Sequence, residues 1–124
     1  MRIADTSFLY ALFSNSDSFH REAVKIARRR EPITVPSEIY SETIALIHYR
    51  QGFNVAKSAG DWLRAHPRIE IRSGSDRVLE EAWRAYSGAR GSLSYPDSVV
   101  VAWSQGRGAV PLAFDTRVLA HSRR

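Results

Sequence analysis

Four short apolar runs, each set between longer stretches of helical periodicity, constrain this chain more than any other feature. Arg2–Ala4, Ile33–Val35, Ile69–Ile71 and Val110–Phe114 read as strands. Between them lie helical patterns over Thr6–Phe13, Phe19–Arg30, Ser37–Arg50, Val55–His66, Asp76–Arg90 and Tyr95–Gln105, and Thr116–His121 follows as a last turn. Pro36 stops the second strand, Ser37 is placed to cap the helix after it, and Pro96 starts the sixth helix. Ser14–Ser18 is a polar break and Gly88–Ser94 a loop. Strands joined by helices imply a parallel sheet with right-handed crossovers, hence an α/β fold.

The chain has 124 residues, 44% of them hydrophobic, which suits one folded domain over residues 1–124. No repeat, linker or low-complexity run interrupts it. No run approaches the roughly 18 apolar residues of a membrane span, and the first residues lack a signal peptide's apolar stretch. Without cysteine there are no disulfides, thiolate metal sites or thiol nucleophiles, and a cytoplasmic location is expected.

In open parallel sheets, ligands sit beyond the carboxyl ends of the strands, where the strand order reverses. Asp5 follows the first strand and Asp115 the fourth. If those strands are neighbours, the two carboxylates meet, and such a pair repels unless a cation separates it. Glu42 in the third helix, Glu38 one turn before it, and Asp97 at the start of the sixth helix can join them. Each has a plainer alternative. Asp5, Asp97 and Glu38 lie where acids favour a helix dipole, Asp115 suits a turn, and Glu42 suits a solvated face. A carboxylate cluster without His or Cys is a hard-ligand site, suited to Mg²⁺ or Mn²⁺.

The segments "ADTSFL", "SEIYSET", "LSYPDSVVVA" and "LAFDTRVL", in that order, resemble a PIN-domain ribonuclease, in particular a VapC-type toxin of a prokaryotic toxin–antitoxin pair. The resemblance runs from Arg2 to about Leu119. It implies a three-layer α/β/α fold with a short parallel sheet of four or five strands. It also implies Mg²⁺-dependent cleavage of single-stranded or looped RNA, a homodimer and an antitoxin partner. Asp5, Glu42, Asp97 and Asp115 match the family's four acidic positions, and Ser7, in preference to Thr6, matches an auxiliary hydroxyl. The chain departs from the pattern after the last acid, where "AHSRR" stands in place of a fifth strand, and no further acid lies near Asp115.

Charge fits this reading. Eighteen bases, sixteen of them arginine, face thirteen acids for a net charge of +5. Setting four acids in one cleft leaves nine against eighteen bases, a frame that can track phosphates. Arg28, Arg29, Arg30, Arg50, Arg90 and Arg117 are its candidates. The glycines of "QGRGAV" precede a strand instead of following one, so they make no dinucleotide loop. A G-x-S-x-G elbow is absent. Two alternatives remain open: a PIN-fold module that binds RNA or protein without cleaving, and a PIN nuclease of RNA maturation without an antitoxin.

Overall fold

A computed structural model describes residues 1–122; Arg123 and Arg124, the end of the "AHSRR" segment, lie outside the described residues. The chain runs β1 (Arg2–Ala4), α1 (Thr6–Phe13), α2 (His20–Ala27), β2 (Ile33–Pro36), α3 (Ser37–Gln51), α4 (Phe53–Ala65), β3 (Ile69–Arg72), α5 (Asp76–Ala89), α6 (Tyr95–Arg107), β4 (Val110–Leu112), α7 (Thr116–Ser122). All pairings are parallel and the order is β3-β2-β1-β4. The first three strands step one way and the chain then crosses back to place β4 on the free side of β1. Right-handed crossovers therefore put α1–α4 on one face of the sheet and α5 and α6 on the other. Among the described residues there is no fifth strand; α7 follows β4 directly.

β1 is buried at every position, as a strand flanked on both sides and covered on both faces must be. Pro111 stands in β4, where the missing N–H is harmless because β4 is an edge strand. The core gathers Ile3, Leu9, Val35, Ile39, Leu63, Val78, Val99, Val100 and Val118, all essentially inaccessible to solvent. α6 buries seven consecutive residues, Ser98–Ser104. Arg2 is also buried; its guanidinium donates to the carbonyls of Ile26 and Glu31, so its charge ties β1 to the segment leading into β2.

Several expected boundaries move. The second helix ends at Ala27, before the arginine run, and the fourth begins at Phe53, two residues before Val55. Strand four stops at Leu112, leaving Phe114 in the connection to α7. Ser37 is the first residue of α3, not its cap; Pro36 holds that place and gives no side-chain hydrogen bond. Of the three tryptophans only Trp103 is core, whereas Trp62 and Trp83 are exposed. No helix among the described residues is long and apolar enough to cross a membrane.

Candidate metal centre

The strand order places the ends of β1 and β4 side by side. The ladder continues one step past β1, where the Asp5 N–H donates to the Leu112 carbonyl at 3.1 Å. Three residues after Leu112 the chain reaches Asp115. Asp5, Thr6, Ser7, Glu42, Ser94, Asp97 and Asp115 all line one open cavity of about 600 Å³ at this edge. The four acids that the resemblance singles out thus come from the β1–α1 junction, α3, α6 and the β4–α7 junction, and all line it. Glu38 does not line the cavity, although it shares a helix with Glu42.

Asp5 performs the plainer role as well. It is the N-cap of α1, and its Oδ1 accepts the Phe8 N–H at 2.9 Å and the Ser7 hydroxyl at 2.8 Å. Its side chain is nonetheless buried, and burial raises its pKa from 3.8 to about 7, with the charges of Asp97 and Asp115 adding to the rise against the two hydrogen bonds. Burial also pushes Asp97 up, joined by the charges of Asp115 and Glu42 and opposed by the Ser94 hydroxyl. Ser94 caps α6 and accepts the Asp97 N–H at 3.2 Å.

Ser7 joins the two halves of the site. Its Oγ donates to Asp5 and accepts the Phe114 N–H at 2.9 Å, across 107 residues of chain. Ser7→Ala leaves that N–H without its partner, and we expect a loss of about 1–3 kcal/mol in urea unfolding. A variant as stable as the parent would show that the bridge contributes nothing to the fold. Thr6 makes a different contact, donating to Glu42 Oε1 and so linking α1 to α3. α3 buries Ile39, Thr43 and Ile47 along one stripe, which leaves Glu42 half-buried beside it at the cavity wall.

Among the described residues no group of three or more acidic or histidine side chains is placed to hold a metal ion as it stands. Three of the four carboxylates are turned to a nearby partner: Asp5 to Ser7 and Phe8, Glu42 to Thr6, Asp115 to the Arg117 guanidinium at 3.3 Å. The donor set still fits a hard divalent cation. Every available ligand atom is oxygen, and the upward pKa shifts of Asp5 and Asp97 are partly repulsion that a cation relieves.

Of the candidate arginines, Arg50 and Arg117 line this cavity. Arg50 also lies over the Tyr10 ring, 5.0 Å from its centre. Arg28 lines a separate apolar groove of about 500 Å³ with Leu12, Phe13, Val24, Val55 and Trp62. The sequence reading missed Tyr10, Asp17, Ser18, Phe19, Leu46, Ser94 and Phe114 as cavity residues. Ser94 was legible as a helix cap in "LSYPD"; the three aromatics carry no local signal.

A family model described as PIN domain matches residues 2–123. No curated protein matches the chain. Among solved structures, VapC20 of Mycobacterium tuberculosis, described as a sarcin–ricin-loop-cleaving toxin, is similar with a TM-score of 0.83 and 22% identity, over 97% of this chain and 94% of that one. A toxin–antitoxin complex from Klebsiella pneumoniae gives 0.69 and 17% identity, over 97% and 91%. VapBC2 of Rickettsia felis, bound to a DNA fragment from its promoter, gives 0.71 and 10% identity, over 96% and 91%. At these identities the likeness is one of fold.

Proposed function

The chain belongs to the PIN domain family, and from that premise we propose that it is a metal-dependent endoribonuclease, the toxin of a toxin–antitoxin pair. One observation carries the reading: four acids from four separate stretches of the chain line a single cavity that Arg50 and Arg117 also line, with Asp17 a fifth acid in its wall. That is a carboxylate centre within a cationic frame, suited to a phosphodiester.

Asp5, Asp97 and Asp115 are the proposed ligands of Mg²⁺ or Mn²⁺, with Glu42 beside them. A bound ion would supply an activated water and stabilise charge on the phosphoryl oxygens. Glu42 orients that water or takes its proton, and the Thr6 hydroxyl holds the Glu42 carboxylate in place. Ser7 positions Asp5. Arg50 and Arg117 receive the flanking phosphates. Attack by water in line with the 3′-oxygen leaves a 5′-phosphate and a 3′-hydroxyl.

The similar structures include toxin–antitoxin complexes, which supports an antitoxin partner. The apolar groove between α1, α2 and α4, rimmed by Arg28 and Arg68, suits an amphipathic antitoxin segment carrying acidic residues. A homodimer belongs to the same proposal. Trp83 and Tyr86, packed together on α5 and open to solvent, offer apolar surface that a second copy covers. A cytoplasmic location completes the reading.

The test is a mixed RNA pool incubated with the purified protein in Mg²⁺, in Mn²⁺ and in EDTA. Cleavage is expected with either ion and not in EDTA, with 5′-phosphate products. Metal-independent cleavage removes the carboxylate centre from the mechanism. Binding of RNA without cleavage under any condition leaves a PIN-fold binding module.

A further inference from the structure

Phe19 lies outside the acidic motifs and its chemistry differs from the cavity it lines. It is the N-cap residue of α2, and its N–H donates to Asp17 Oδ1 at 2.9 Å. Its ring stacks on Phe114, with centres 4.4 Å apart and planes within 4°. Phe114 directly precedes Asp115 and also contacts the buried Phe8 ring. One face of Phe19 is therefore covered, yet the residue remains 41% exposed. A lone exposed phenylalanine is ordinary. This one is fixed at both backbone and ring, and it lines the cavity that holds the four candidate ligands, Asp17 and two arginines.

We propose that Phe19 stacks on an unpaired RNA base and so positions the neighbouring phosphate at the carboxylates. The ligand class rests on the ribonuclease reading above. The cavity is large enough for a nucleotide, since ligand sites of roughly 300–1,000 Å³ enclose whole small molecules. Unpaired bases dock on aromatic faces, and every base has a π-face to offer. A paired base is already stacked within its helix and cannot reach the ring. Phe19 therefore selects single-stranded or looped RNA, while Arg50 and Arg117 hold phosphates without regard to base. The ring is preorganised by Phe114, so little order is lost when a base arrives.

The experiment measures anisotropy of a labelled single-stranded RNA oligonucleotide and of a fully paired duplex, at low salt in EDTA, where nothing is cut. The parent protein is compared with Phe19→Ala, Phe19→Leu and Phe19→Trp, each checked by its thermal midpoint. The expected result is about tenfold weaker single-strand binding for Phe19→Ala. Phe19→Leu stays weak although it refills the contact with Phe114, and Phe19→Trp restores binding. Duplex binding changes in none of them.

Single-strand binding by Phe19→Leu equal to the parent overturns the inference in favour of plain packing. An unchanged Phe19→Ala, an equal loss for duplex, or no measurable binding by the parent overturns it as well. The two proposals separate cleanly. Phe19-dependent single-strand binding without cleavage in Mg²⁺ ends the ribonuclease reading alone, and cleavage indifferent to Phe19 ends this inference alone.

Discussion

Replacing Asp5 by asparagine is expected to abolish measurable cleavage while making the metal-free protein more stable at pH 8. Cleavage should fall by about 10³-fold, since losing one anionic ligand removes several kcal/mol of transition-state stabilisation. The stability gain follows from burial. Folded Asp5 keeps its proton up to about pH 7, whereas its ordinary value is 3.8. Between those values the folded state binds more protons than the unfolded one, so stability falls as pH rises through that window. Asparagine has no charge to desolvate and still caps α1. At pH 8 the variant should gain up to about 4 kcal/mol over the parent, and near pH 3 the two should converge. Added Mg²⁺ should restore stability to the parent and do little for Asp5→Asn. Thermal melts at pH 3, 6 and 8, with and without Mg²⁺, read all of this. A pH-independent difference, or cleavage by Asp5→Asn at the parental rate, removes Asp5 from the role given to it.

Phe8→Ala is expected to cause a large loss of stability. Phe8 is 1% exposed, packs in the main core and meets the Phe114 ring at 6.3 Å. Truncating a buried phenylalanine costs about 3–5 kcal/mol through lost transfer energy and the cavity left behind. A domain of this size has only about 5–15 kcal/mol in total, so the thermal midpoint should drop by roughly 10–20 °C. The hydrogen bond from residue 8 to Asp5 comes from the backbone and survives the change. The cap therefore remains while the support beneath Phe114 and Asp115 is lost. Phe8→Leu, which refills most of the volume, should recover more than half of the lost stability. A midpoint shift under 3 °C for Phe8→Ala would show that this ring does not anchor the core.

These predictions rest on residues of unequal legibility. Asp5, Glu42, Asp97 and Asp115 stood out as a set because the short motifs that hold them resemble those of a known family, while their positions at strand ends, a helix start and mid-helix left plainer roles open. Those are local relations that a linear chain displays. The helix start at Asp5 was read in the same local way and Ser94 carries a similar signal that was not used, whereas Ser37 was misplaced because Pro36 already holds the extended turn before α3. Glu38 and Glu42 look alike in sequence, one turn apart on one helix. The resemblance chose Glu42, and the packing of Ile39, Thr43 and Ile47 gives the physical reason that Glu42 lines the cavity and Glu38 does not.

Trp62, Trp83 and Trp103 illustrate the same limit. Helical spacing cannot distinguish a tryptophan facing the sheet from one on the far side. Trp103 is buried because α6 is enclosed at that point, and the other two lie on helices with one face open.

The sequence by itself determined that this is an α/β chain with a parallel sheet, since short apolar strands joined by amphipathic helices have few other ways to bury themselves. It also determined the chemistry on offer, oxygen ligands with arginines around them and no cysteine. The tertiary structure alone decided that β4 lies against β1 and not beyond β3, which brings Asp115 to Asp5 and lets Ser7 reach Phe114 across 107 residues. It alone set Phe19 against Phe114 at the edge of the same cavity. The reason is physical: local periodicity is set by neighbours a turn apart, but strand order and the convergence of distant side chains depend on how the whole core closes.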